Sequence, residues 1–165
     1  MGDRARDDYE RALQELEDKA RIERLVRRYA DACDEGYDPE LLGPLFTQDA
    51  VWAATSETGT SDFGVYEGRA AIMEHFAGTG ARIPLSHHIV MSPQIDIVVP
   101  GAEAVGRWNT IVFMKLARDP LGERDDEAKM MAAVYRHRYR CEDGTWLISR
   151  LDVHTRFDAR VRQVG

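Results

Sequence analysis

KMMAAVYRHRYRCEDGTWLISRLDVHTRF, residues 129–157, is the stretch that decides the fold. Two long segments, Lys129–Cys141 and Trp146–Phe157, flank the pair Asp143-Gly144. Both are rich in β-branched and aromatic residues, and an Asp-Gly pair suits the tight turn of a β-hairpin. In the second segment Arg150, Asp152, His154 and Arg156 alternate with Leu151, Val153, Thr155 and Phe157. Successive strand side chains point to opposite faces, so one face is ionisable and the other apolar. The first segment repeats the pattern, with Arg136, Arg138 and Arg140 opposite Tyr135, His137 and Tyr139. The bland meaning is a half-exposed sheet face, the usual sense of such alternation. The sharper meaning is a cavity wall carrying a charge pair.

Upstream, Ser86–Met91, Gln94–Val99 and Ala104–Leu116 have the same strand composition. Between Ala117 and Glu127 lies a loop with six charged residues, read as a longer hairpin connection. Before Pro84 the pattern is helical. Leu13, Leu16, Ala20, Leu25, Tyr29 and Ala32 recur at helical spacing, and Ile22, Val26 and Cys33 widen the stripe. Gly36 stops this helix, and Pro39 starts a short second one over Glu40–Phe46. Val51–Ala54 reads as a short strand and Thr55–Gly64 as a glycine-containing loop. A third helix covers 68–76, closed by Gly78 and Gly80. Helices first and long antiparallel strands after them make an α+β domain, with the helices on one face of a curved sheet.

The chain of 165 residues is one domain, 1–165, with a charged helical extension over residues 1–12. Lys plus Arg number 22 and Asp plus Glu 29, a net charge of −7. That balance argues against nucleic acid and anionic membrane as partners, both of which attract basic surfaces. Cys33 and Cys141 form no zinc or redox motif. The charged amino terminus resembles neither a secretion signal nor an anchor, so the expected location is cytoplasmic. No nucleotide-binding loop or nucleophile elbow is present. His75, His87, His88, His137 and His154 lack metal-ligand spacing, so no metal site is expected.

Several polar residues break the core pattern. Tyr29 and Asp34 are five apart and cannot share a face of an unbroken helix, so an inward Asp34 requires the helix to loosen near its end. Otherwise Tyr29 is amphipathic core and Asp34 a solvated helix terminus. Of the consecutive His87 and His88, one must face inward and the other outward.

The order of elements, together with YADACD (residues 29–34), LFTQDAVW (45–52), YEGR (66–69) and HIVMSP (88–93), resembles the SnoaL-like branch of the nuclear transport factor 2-like superfamily. The similarity runs over roughly residues 14–157. It implies a cone of three helices wrapped by a strongly curved, mostly antiparallel sheet around an apolar pocket. Its catalytic members, among them scytalone dehydratase, the bile-acid dehydratases and hexachlorocyclohexane dehydrochlorinase, use an Asp–His pair. The matching positions here are Asp34 and His88, with Tyr29 and Arg150 as further catalytic groups. Trp52, Phe46, Trp108, Asp152 and His154 are the expected substrate-binding residues. The implied activity is a cofactor-independent lyase, a dehydratase acting on a bulky hydrophobic cyclic compound such as a steroid or polyketide. An isomerase, a cyclase, an epoxide hydrolase using Asp152 and Arg150, or a non-catalytic binding module are the alternatives. The resemblance further implies a homo-oligomer, trimer or dimer, assembled through an outer sheet face expected to carry Tyr135, Tyr139, Val153 and Phe157.

Overall fold

The computed structural model describes residues 2–56, 63–117 and 127–161, with side chains for 4–56, 63–117 and 128–161. Most of the two expected loops, Thr55–Gly64 and Ala117–Glu127, lies outside these residues. Helix α1 (Gly2–Asp34) comes first, then α2 (Pro39–Leu42) and a 3₁₀ turn (Gly43–Leu45). Strands β1 (Phe46–Ser56) and β2 (Gly64–Glu67) precede α3 (Arg69–Arg82). The chain ends in β3 (Leu85–Val99), β4 (Glu103–Leu116), β5 (Glu127–Glu142) and β6 (Thr145–Val161). One curved sheet has the strand order β2-β1-β6-β5-β4-β3. Every neighbouring pair is antiparallel except β1 and β6, which run parallel. The α+β expectation holds, with helices on one face of an open sheet.

Only the second half of α1 packs. Ile22, Leu25, Val26, Tyr29 and Cys33 are buried, whereas Tyr9, Leu13 and Leu16 are exposed. The solvated extension is therefore longer than the expected first dozen residues. Packing begins at Asp18, a buried carboxylate that accepts hydrogen bonds from Trp146 Nε1 and the Gly101 amide, each at 3.0 Å. Buried polar oxygens are tolerated when donors satisfy them, and here they tie α1 to the start of β6 and to the turn between β3 and β4.

The expected strands Ser86–Met91 and Gln94–Val99 are one strand, β3, with a bulge between Met91 and Gln94. Pro93 has no amide hydrogen to donate, and Ser92 adopts φ 54°, so the chain bends without ending the pairing. Asp143 and Gly144 both have positive φ, 48° and 76°, as the hairpin reading requires. Helix α3 does not close at Gly78 and Gly80 but continues to Arg82. Gly80 has a different purpose: a Cβ there would stand 2.2 Å from the Gly36 carbonyl oxygen. The missing side chain lets α3 press on the turn that follows α1, directly after Asp34.

The two faces of the sheet are sorted by polarity. Trp108, Val112, Tyr135, Tyr139, Leu151 and Val153 are buried against the helices. This overturns the expected outer face, since Tyr135, Tyr139 and Val153 point inward and only Phe157 is exposed. Period-two alternation says which residues share a face, not which face is inside. The charged partners in each row, Arg136 and Arg138 on β5 and Arg150 and Asp152 on β6, are more costly to bury and take the outer side.

Candidate active site

Between the inner sheet face and the helices lies a cavity of about 580 Å³, lined mostly by apolar side chains. Tyr29 of α1, Trp52 of β1, His75 and Phe76 of α3, His88 of β3 and Tyr135 of β5 reach it from five elements. The strand pairs His88 with Val112 of β4, which also lines the wall.

Asp34 and His88 meet. Their contact is 2.6 Å from His88 Nδ1 to Asp34 Oδ1. The His88 amide also donates to both carboxylate oxygens, at 3.1 and 2.9 Å, and Ser86 Oγ donates to Oδ1 at 3.2 Å. Contrary to expectation, α1 stays helical through Asp34. The carboxylate does not turn into the cavity; β3 comes up against the helix end, and the His88 ring stands between Asp34 and the cavity. Partial burial pushes the Asp34 carboxyl up, but the His88 and Ser86 hydrogen bonds outweigh it and leave the group below its ordinary value. An ionised carboxylate only accepts, so Nδ1 of His88 carries the proton of the 2.6 Å bond. Neutral His88 then has a bare Nε2, the form in which imidazole is a base. The His88 side chain is only 4% exposed. His87, as its strand parity predicts, is turned outward and 72% exposed, although its Nδ1 remains 3.3 Å from Asp34 Oδ2.

Tyr29 and Trp52 line the cavity together, with Trp52 Nε1 donating to the Tyr29 hydroxyl at 3.3 Å. Because indole is donor-only, the tyrosine oxygen accepts there and its own proton is available elsewhere. Burial holds the Tyr29 pKa well above its ordinary value, so the hydroxyl stays protonated.

The other expected site residues are placed elsewhere. Phe46 is fully buried, packed edge-on against Tyr29 with ring centres 6.0 Å apart, and supports the site from behind the cavity wall. Trp108 is buried and donates to the Tyr139 hydroxyl at 2.9 Å, within the core rather than the cavity wall. Arg150, Asp152 and His154 line a groove on the outer sheet face, where Arg150 forms a two-pronged ion pair with Asp152 at 2.7 Å on each prong. Their strand parity sets them opposite Leu151 and Val153, which face inward. None of the three reaches the cavity. Tyr37, His75, Arg82 and Tyr135 do line it and were not singled out as site residues. Tyr37 follows Gly36 with φ 60° and packs edge-on to His88, ring centres 6.1 Å apart. Its role depends on the turn geometry, which sequence spacing does not carry.

The sequence profile of the SnoaL-like domain matches residues 14–152. No curated protein matches the chain. Among solved structures, a type 2 hexachlorocyclohexane dehydrochlorinase superposes with a TM-score of 0.78 at 19% identity, covering 93% of this chain and 95% of its own. The type 3 dehydrochlorinase of Novosphingobium barchaimii gives 0.75 at 19% identity, covering 93% and 96%. A Novosphingobium aromaticivorans protein provisionally assigned as a scytalone dehydratase gives 0.76 at 21% identity, covering 93% and 94%. At these identities the likeness is one of fold. By its sequence profile, with the fold in agreement, the chain belongs to the SnoaL-like domain family of the nuclear transport factor 2-like superfamily.

Proposed function

We propose that this protein is a lyase that eliminates a small leaving group, most simply water, from a hydrophobic cyclic substrate held in the cavity. The observation that carries the reading is the 2.6 Å His88–Asp34 contact at the wall of an apolar cavity. The volume of about 580 Å³ falls in the usual range for small-molecule pockets, roughly 300–1,000 Å³.

In this reading Nε2 of His88 takes a proton from a carbon next to a carbonyl or double bond. The freed electron pair forms the new carbon–carbon double bond as the bond to the leaving oxygen breaks. Tyr29, whose oxygen is already occupied by Trp52, donates to that departing oxygen. The proton gained by His88 neutralises the departing hydroxide. Asp34 holds the ring in one tautomer and stabilises the imidazolium, the task of a base's orienting carboxylate. Arg150 and Asp152 have no part in this chemistry, because they lie on the other side of the sheet.

The dehydrochlorinase and dehydratase structures noted above carry the same fold, and their names describe eliminations. The test is turnover of a panel of cyclic β-hydroxy ketones followed by absorbance of the conjugated product. His88→Ala is expected to slow the chemical step by about 10²–10⁴-fold, the contribution of a positioned general base, and Tyr29→Phe by less. Near-wild-type turnover in His88→Ala would remove the base from this reading.

A further inference from the structure

Apart from the dyad histidine and the tyrosine hydroxyls, the polar side chains of the cavity wall lie along one face of α3. His75, Thr79 and Arg82 stand at helical positions i, i+4 and i+7, and all three line the cavity. Among the described lining residues Arg82 is the one that carries a permanent charge. Arg82 is exposed, and its side chain is held by two hydrogen bonds. Nε donates to the Gly78 carbonyl at 3.3 Å and an Nη to Thr79 Oγ1 at 3.1 Å. Thr79 in turn donates to the His75 carbonyl at 2.9 Å, which fixes its oxygen as an acceptor for the guanidinium. These bonds draw the arginine back along the helix on the cavity side, and no carboxylate pairs with it among the described residues. Arginine presents a rigid fork of five donors, suited to a carboxylate or sulfonate.

The position of Arg82 gives a length. The Ala117 amide donates to the Arg82 carbonyl at 2.9 Å, which sets the end of α3 beside the residue after β4. His88 pairs with Val112 on the same strand, five residues earlier. At about 3.3 Å per residue the dyad and the base of Arg82 are roughly 16 Å apart along β4. Between the two lie Met114 and Leu116, both apolar wall.

We infer that the substrate is an amphipathic anion: a hydrophobic ring system with a carboxylate or sulfonate at the end remote from the reacting carbon, held by Arg82 at the cavity mouth. The inference rests on the cavity being the substrate pocket of the proposed lyase, and it adds the substrate's charge and its orientation. The ring enters first, the anion stays at the mouth, and the reacting carbon is presented to His88.

The test uses two fluorescent probes with one aromatic framework, 1-anilinonaphthalene-8-sulfonate and the uncharged N-phenyl-1-naphthylamine, titrated into the full-length protein. Wild type is expected to bind the sulfonate about tenfold more tightly than the neutral probe. In Arg82→Gln that preference disappears while the neutral probe binds as before, and Thr79→Val shows part of the same loss. The outer-face control Arg138→Gln changes neither. Equal affinity for both probes in wild type, an unchanged sulfonate affinity in Arg82→Gln, or a loss in Arg138→Gln instead would each overturn the inference. The lyase reading fails separately, through turnover in His88→Ala, and that outcome would leave the anion preference standing. Binding of neither probe would contradict both.

Discussion

Asp34 occupies an electrostatically poor place, the carboxyl end of a 33-residue helix, where the backbone dipole is negative. It is held there by donors from β3: the His88 ring, the His88 amide and Ser86. An asparagine would keep the shape and lose the charge, and its amide would offer a donor to Nδ1 and favour the wrong tautomer. Asp34→Asn is therefore expected to cost the chemical step about as much as losing the base itself, about 10²–10⁴-fold, with little change in apparent substrate affinity. Steady-state kinetics that separate kcat from KM check this. The Asp–His pair was legible only through the resemblance, because spacing alone favours a solvated Asp34. Arg150 shows the opposite case. The resemblance implies a catalytic Arg150, yet the bonding register turns the guanidinium away from the cavity. Arg82 and His75 carry no local signal, since what distinguishes them is the wall they face.

At the scale of elements, the alternating rows of β5 and β6 predicted the hairpin and the sorting of residues into two faces. They could not say which face meets the helices, and assigning the tyrosines outward was the error. The buried row makes a titratable core. His137 is fully enclosed, bonded through Nδ1 to the Tyr139 hydroxyl at 2.5 Å, which also accepts from Trp108. Burial drives its pKa down to about 3, against a small opposing effect of Asp152. In the unfolded chain the same group takes a proton near pH 6.5. Between about pH 6.5 and pH 3 the unfolded state binds more protons, so stability falls as pH falls, by up to about 1.4 kcal/mol per pH unit. Asp34 contributes in the same direction at lower pH, because its depressed folded-state value loses its stabilisation only below the ordinary carboxylate range. Urea unfolding at pH 7 and pH 5 is expected to show a lower midpoint at pH 5. His137→Gln should reduce the difference between the two.

The whole molecule presents an outer sheet face divided by charge. One end carries Arg107, Arg136, Arg138 and Arg150, with Asp96 and Asp152 among them. The other exposes Leu85, Ile89, Phe113, Phe157 and Val161, and apolar side chains grouped on one face favour association. A homo-oligomer assembled through this face remains our expectation, carried now by residues different from the tyrosines first assigned to it. Light scattering at micromolar concentration is expected to give a multiple of 18.7 kDa, and Phe113→Glu to lower it. A single-chain mass for the wild type would contradict the assembly. The curved sheet and segregated helices were legible because polarity patterns are local. The cavity was legible only as a family property, since it is bounded by residues from most of the chain.

The most direct test of the account is the protonation of one ring. Nitrogen-15 NMR of the histidine side chains at pH 7.5, with His88 assigned through His88→Gln, distinguishes Nδ1–H from Nε2–H. The account predicts that neutral His88 is the Nδ1–H tautomer, with Nε2 bare toward the cavity, and that Asp34→Asn abolishes this preference. A His88 ring protonated at Nε2 in the wild type, or one indifferent to Asp34→Asn, would contradict it.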